Sequence, residues 1–346
     1  GGHLFPAVAV AEALAADYPG SETLFVGTQR GIEARVLPGL GFALETLDVR
    51  PLKGGGVAGI LRGLVSLPMS ALQAFRVVRR FRPAVVVSAG GYAAGPVTLI
   101  ASLMGIPTVL MEQNALPGLT NRILGRVVDR CLLSMPVLEG TLPTAKCEVV
   151  GNPIRQQIVD AVTVAVDDEP RAQADEFRVF ITGGSGGAGT LNRELPRLFQ
   201  GLSDELASRL IVRHQAGRGR HEPVEAGYEG FAGRAHVTEF VDDMAQAYRW
   251  ADLVVCRAGA TTLAELLALG QSAMLIPFPG AADNHQERNA QTMVEQGAAT
   301  MVLEQELEQE HFARVLAGFM ADPASLDALA ANAKQLGRPD AAGVVA

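Results

Sequence analysis

The 346-residue chain is 48% hydrophobic and 19% charged, enough apolar material for about two cores at the usual ~150 residues per domain, with no low-complexity tract to favour disorder. A net charge of −8 argues against a general nucleic-acid binder, and neither a signal peptide nor a membrane-spanning helix is expected, since no uncharged apolar run of about 18 residues occurs. Cys131, Cys147 and Cys256 lack CxxC spacing, so free thiols in a reducing cytoplasm are expected, not a zinc site or disulfide framework.

Gly1-Gly2-His3-Leu4-Phe5-Pro6 reads as the tail of a glycine turn opening a helix over 7–16, and such a turn implies a strand ahead of Gly1. Apolar, β-branched runs then predict strands at 23–27, 84–88, 108–112, 130–134, 148–150, 178–182, 210–214, 237–239, 252–256, 273–276 and 299–302. Helical patterns separate most of them, which predicts parallel α/β sheets with helices on both faces. The hydrophilic stretch around Asp167-Asp168-Glu169-Pro170 reads as a linker. The expected division is a domain over 1–158, a linker over 159–175, a second domain over 176–325 and a helical segment over 326–346 that is a candidate to pack back on the first domain. Charge divides as well: residues 1–155 hold 14 Lys/Arg against 10 Asp/Glu (+4), and 156–346 hold 15 against 27 (−12).

Glycine turns follow strands at Ser88-Ala89-Gly90-Gly91-Tyr92-Ala93-Ala94-Gly95-Pro96 and at Thr182-Gly183-Gly184-Ser185-Gly186-Gly187-Ala188-Gly189. The most informative stretch is Arg257-Ala258-Gly259-Ala260-Thr261-Thr262-Leu263-Ala264-Glu265, after the apolar run 252–256. A strand, a small-residue turn and a helix start offer free N–H groups and partial positive charge to a phosphate, with Glu265 placed for a ribose diol. An ordinary turn whose Glu caps the helix fits that stretch alone equally well. Three glycine turns together favour a ligand-bearing cleft.

These motifs resemble, in order, the peptidoglycan N-acetylglucosaminyltransferases of glycosyltransferase family 28. Glu112-Gln113-Asn114-Ala115-Leu116-Pro117-Gly118-Leu119-Thr120-Asn121, Gly151-Asn152-Pro153-Ile154-Arg155, Phe240-Val241-Asp242-Asp243-Met244 and Asn284-His285-Gln286-Glu287-Arg288-Asn289-Ala290 extend the resemblance over essentially the whole chain. It implies an α/β fold of the GT-B type, two Rossmann-like parallel-sheet domains facing each other across a deep cleft. It also implies inverting transfer of N-acetylglucosamine from UDP-N-acetylglucosamine to the C4 hydroxyl of undecaprenyl-diphospho-N-acetylmuramoyl-pentapeptide, lipid I to lipid II. The implied partners are donor, lipid acceptor, anionic membrane surface and a cell-wall synthesis complex, with peripheral attachment at the cytoplasmic face of the bacterial inner membrane.

By the same resemblance, Val241 meets uracil through its backbone and Glu265 holds ribose. Ser185 and Ala260, Thr261, Thr262, Leu263 and Ala264 meet the phosphates, and Gln286 meets sugar hydroxyls. Arg155 and Asn114 reach in from the N-terminal side, with Gly1 and Gly2 at the donor. The acceptor diphosphate falls to the N-terminal glycine loops, Gly1 to His3 and Gly90, Gly91, Tyr92 and Gly95. A guanidinium suits a diphosphate, and amides read hydroxyls without charge. No Asp-x-Asp occurs, so no metal or other cofactor is expected. Asp243 reads as a helix cap or solvated residue. His3, on a glycine loop at a helix start, is the first candidate for general base, or else orients acceptor or phosphate. Glu112 is a weaker candidate that also fits as a loop brace. His285 could touch the donor sugar, while His214, His221, His236 and His311 read as structural or surface residues.

Ile60, Leu61, Leu64, Val65, Leu67 and Met69, followed by Arg76, Arg79, Arg80 and Arg82, give an apolar stretch edged by cations. That suits an anionic leaflet, or a buried helix with a solvated basic edge. A dehydrogenase is the rival enzyme class, but no GxGxxG opens a βαβ unit with an acidic residue about 20 positions on. A lipid glycosyltransferase with another acceptor, and a nucleotide-sugar-binding scaffold without catalysis, are the remaining alternatives.

Overall fold

The computed structural model describes residues 2–29, 31–49, 56–91, 93–163, 175–184 and 187–346, with side chains of 56–67 excepted. It divides into two compact units, 1–154 with 340–346, and 155–339. The first begins with α1 (Leu4–Asp17), β1 (Leu24–Gly27), α2 (Glu33–Val36), β2 (Ala43–Thr46), α3 (Gly56–Phe81), β3 (Val86–Ser88) and α4 (Ala94–Leu103). It continues with β4 (Thr108–Glu112), α5 (Leu119–Leu124), β5 (Arg130–Leu133) and β6 (Cys147–Val149). All its strand pairs are parallel: β1 pairs with β2, and β3-β4-β5-β6 form a second sheet. Leu110, Leu124, Val128, Cys131, Leu133 and Leu142 pack together along the latter sheet. Cys131 and Cys147 are register partners on neighbouring strands, and both are free thiols.

The second unit holds α6 (Gln156–Thr163), β7 (Phe177–Thr182), α7 (Gly189–Gln200), α8 (Asp204–Ala207), β8 (Leu210–Gln215), α9 (His221–Ala226), β9 (Arg234–Thr238) and α10 (Met244–Trp250). It goes on with β10 (Leu253–Cys256), α11 (Ala260–Leu269), β11 (Ala273–Leu275), α12 (His285–Glu295), β12 (Thr300–Met301), α13 (Gln309–Ala321) and α14 (Pro323–Leu336). Its six parallel strands run β12-β11-β10-β7-β8-β9. All six residues of β7 are buried, as a central strand covered on both faces requires. The core on one side joins Phe177, Val179 and Ile181 to Leu191, Leu195 and Leu198 of α7 and to Phe312 and Leu316 of α13.

The structure differs from the sequence reading in several places. Strand β2 was not expected; its residues are half-buried or exposed, so no apolar run announces it. α1 starts at Leu4, three residues before the expected start. The unit boundary lies at Ile154/Arg155, ahead of the hydrophilic stretch, because α6 packs against α10 and α11 of the second unit. Residues 164–174 of the expected linker lie outside the described residues. The second unit runs to 339 and not 325: of the expected segment 326–346, α14 packs on α11 in the second unit, and only α15 (Ala341–Val345) packs on α1 in the first.

A polar trio of buried His214 and Tyr228 with half-buried Asn192 supports the second unit. Asn192 Nδ2 donates to the Ala216 carbonyl (2.7 Å), which turns Asn192 Oδ1 toward His214 Nε2 (3.2 Å). His214 Nε2 therefore carries the proton, and Nδ1 accepts from the Tyr228 hydroxyl (3.0 Å). Burial pushes the His214 imidazole down to about 3 and the Tyr228 phenol well above its ordinary value. The unfolded chain, titrating near ~6.5, thus binds the extra proton first as pH falls. His214 stabilises the fold fully above that value and loses its contribution below it. Trp250 is the sole tryptophan and lies in this unit, so its fluorescence reports the transition. Denaturant unfolding followed by Trp250 should lose stability between about pH 6.5 and 4, with a slope approaching ~1.4 kcal/mol per pH unit from this residue. His214→Gln should be less stable at neutral pH and show a flatter acid limb; an unchanged limb removes His214 as the cause.

Candidate active site

Because every strand of the second unit's sheet is parallel, its carboxyl ends open at one edge. Connections leave β7 and β10, which are neighbours, toward opposite sides, the place where open α/β sheets bind ligands. The turn after β7 needs its glycines. A Cβ on Gly183 would lie 2.4 Å from the Ala188 nitrogen, one on Gly187 would lie 2.4 Å from the Ala216 carbonyl, and Gly184 has φ +79°. Ser185 lies outside the described residues.

At the turn after β10, Gly259 precedes α11 in extended conformation without a side-chain cap. The N–H groups of Ala260, Thr261 and Thr262 thus head the helix without intrahelical acceptors. The Thr261 hydroxyl is buried and has no partner among the described residues. Leu263 is buried in the core side of α11, so Leu263 and half-buried Ala264 offer a ligand backbone alone. Arg257 is a brace: it donates to the Ile276 and Pro277 carbonyls (3.0 and 3.1 Å) and pairs with Glu304. Fully buried Asn289 ties down the same turn through the Ala258 carbonyl (3.1 Å).

Glu265 is buried. Its Oε1 accepts from Arg155 Nε (2.9 Å) and Nη2 (2.8 Å), and its Oε2 from the Tyr248 hydroxyl (3.1 Å). Burial raises the Glu265 carboxyl, and the Arg155 guanidinium and Tyr248 hydroxyl act against that rise. A carboxylate has about four acceptor directions, and three are filled. Arg155, expected to reach in from the N-terminal domain, begins the second unit, because the chain has already crossed the boundary at Ile154. Of the remaining candidates, half-buried Val241 lies in the turn between β9 and α10. Asp243 caps α10, accepting from Gln246 N (2.9 Å). Gln286 Oε1 accepts from Phe278 N (3.0 Å), which points its amide donors elsewhere. Asp283 and Asn284 both adopt left-handed backbone (φ +54° and +55°) just before α12, strain of the kind found at ligand sites. His285 Nδ1 meets the Ala282 carbonyl at 2.7 Å.

In the first unit, exposed His3 stands at the start of α1 with Nδ1 2.9 Å from Gln113 Oε1. Gln113 is buried and donates through Nε2 to the Ala89 carbonyl (3.1 Å). Gly90 (φ +97°) lies against the imidazole; a Cβ there would sit 2.9 Å from Nδ1. Gly91 (φ +88°) and Gly2 face open space, whereas Gly95 packs α4 beside Thr120 of α5. Gly1 and Tyr92 lie outside the described residues. Buried Glu112 takes the bracing role: Oε1 accepts from Asn114 N (2.9 Å) and Nδ2 (3.3 Å), and Oε2 from Asn121 Nδ2 (2.8 Å). Those bonds hold the turn after β4 and fill three of the carboxylate's about four acceptor directions. Sequence reading passed over Gln113, Tyr248 and Asn289, whose roles depend on contacts 17 to 110 residues away along the chain.

Side chains of Ile60, Leu61, Leu64, Val65 and Leu67 lie outside the described residues, although α3 runs through them. Beyond them α3 buries Ser70, Ala74, Val77 and Val78 and exposes Met69, Leu72, Phe75, Arg76 and Arg79 on the other face. Arg80 pairs with Glu45. α4 packs between α3 and α5 and adds exposed Leu99 and Leu103, while α5 adds Leu119 and Ile123, with exposed Arg126 just beyond.

Models of the glycosyltransferase family 28 N-terminal and C-terminal domains match residues 1–133 and 178–345. A UDP-N-acetylglucosamine--N-acetylmuramyl-(pentapeptide) pyrophosphoryl-undecaprenol N-acetylglucosamine transferase of Anaeromyxobacter dehalogenans is 44% identical, covering 100% of this chain and 89% of its own. The same-named protein of Geobacter metallireducens is 42% identical, covering 100% and 94%. The crystal structure of Acinetobacter baumannii MurG superposes with a TM-score of 0.81 at 31% identity, over 100% of this chain and 95% of that one. The chain belongs to glycosyltransferase family 28.

Proposed function

We propose that this chain transfers N-acetylglucosamine from UDP-N-acetylglucosamine to a polyprenyl-diphosphate-linked N-acetylmuramoyl-pentapeptide, the reaction named for its relatives. The observation that carries the donor half is the uncapped start of α11, with its partnerless buried Thr261 hydroxyl, beside the β7 glycine turn at the sheet's reversal. That arrangement suits a diphosphate. A helix N-terminus stabilises an anion by about 0.3–1 kcal/mol, and by up to about 2 when partly buried. The remaining acceptor direction of Glu265 Oε2 suits a ribose hydroxyl, and the half-exposed Arg155 guanidinium has N–H groups beyond the two given to Glu265. Val241 takes the uracil edge and the Gln286 amide the sugar.

Chemically, the acceptor hydroxyl oxygen attacks the sugar C1 as the bond from C1 to the β-phosphate oxygen breaks. UDP leaves with the electron pair, and the hydroxyl proton passes to a base. His3 is that base, and the reaction inverts C1. Leaving-group charge is met by the α11 start, Thr261 and Arg155, with no metal. The acceptor diphosphate lies along Gly2, Gly90 and Gly91. The exposed apolar face of α3, α4 and α5, edged by Arg76, Arg79 and Arg126, rests on an anionic leaflet at the cytoplasmic face.

Calorimetric titration in EDTA should show UDP-N-acetylglucosamine binding ahead of UDP-glucose and NAD. Thr261→Val should weaken binding by about 1 kcal/mol, near fivefold. A metal requirement, or NAD preference, would overturn the donor site. His3→Ala should leave donor binding intact while transfer falls about 10²-fold or more; undiminished transfer removes His3 as base. Leu103→Glu with Ile123→Glu should cut recovery on floated anionic liposomes severalfold. Recovery equal to wild type would sink the membrane face.

A further inference from the structure

We propose that Gln113 is a positioning residue that holds His3 in the tautomer protonated on Nδ1, so that the basic lone pair stands on Nε2. The chain of bonds leaves one consistent arrangement. The Ala89 carbonyl can accept but not donate, so the Gln113 group facing it at 3.1 Å is the NH2. The other end of the same amide is then an oxygen, and it faces His3 Nδ1 at 2.9 Å. Two facing acceptors make no bond, so Nδ1 carries the hydrogen, and in the neutral ring Nε2 does not.

The surroundings lock this choice. Gln113 is 2% exposed, so an unbonded amide oxygen there would carry a desolvation cost. It follows directly on β4, whose end is fixed by Glu112 bonding Asn114 and Asn121. Gly90 closes over the same ring edge, a fit that a Cβ at 2.9 Å from Nδ1 would break. The Nδ1 edge is thus committed to the protein, and the exposed remainder of the ring presents Nε2. The assignment rests on the reading of His3 as general base. It adds the atom that takes the acceptor hydroxyl's proton: the O–H bond breaks, an Nε2–H bond forms, and Gln113 Oε1 keeps the Nδ1 proton of the imidazolium so produced.

The test is nitrogen-15 NMR of the full chain labelled at histidine, with His3 assigned by its loss in His3→Ala, at about pH 8.5 where imidazoles are neutral. Wild type should show His3 protonated on Nδ1, a result that requires no variant to fold. Gln113→Leu should move the ring to the Nε2-protonated form that free histidine favours. Transfer should fall about tenfold or more, with UDP-N-acetylglucosamine binding unchanged. Nε2-protonated His3 in wild type, or an Nδ1-protonated ring persisting in Gln113→Leu, overturns the proposal. A tautomer that switches while transfer stays at the wild-type rate sustains the Gln113 assignment and removes His3 as base.

Discussion

Parallel strands cannot be joined by tight turns, and that constraint organises everything functional in this chain. Each strand must be followed by a crossover, so each delivers its carboxyl end to the same edge of its sheet. In the second unit the turns after β7, β9, β10 and β11 therefore meet at one rim, although they are separated by up to about a hundred residues of sequence. The order β9-β8-β7-β10-β11-β12 then parts two crossovers at its centre. Backbone N–H groups released there need a partner, and Gly183, Gly187 and Gly259 keep side chains out of the way.

Buried charge gives that rim its rigidity. Glu265 is kept from water by α11 and would be costly alone, but Arg155 and Tyr248 between them fill three of its acceptor directions. Arg257 is likewise committed, to two carbonyls and Glu304. The two arginines differ in what remains: the Arg257 side chain is 9% exposed, while that of Arg155 is 35% exposed and keeps an edge for an anion. Burial thus divides identical side chains into a committed brace and a guanidinium still open to solvent.

Much of this was legible in the sequence because the signals are local. Apolar runs mark β4, β7 and β10, positive-φ glycines mark the turns, and Asp243 three residues before Gln246 marks a cap. What escaped is non-local. β2 has no apolar run, since it is half-exposed and paired with β1. The unit boundary was misplaced because hydrophilicity flagged 160–175, whereas packing of α6 on α10 and α11 decides where the second unit starts. Glu112 read as a weak base candidate or a loop brace; its bond to Asn121, set by how α5 folds back on β4, is what the sequence did not show. Gln113 was given no role, since its partners His3 and Ala89 lie far off in the chain.

The return of residues 340–346 to the first unit makes the second a continuous insertion within a divided one. Residues 155–339 could acquire their fold as soon as they leave the ribosome. The first unit is completed only afterwards, because the segment that lies on α1 follows the second unit in the chain. Here the domain that starts first is completed second, and a ribosome stalled anywhere in the second unit holds a first unit still missing α15.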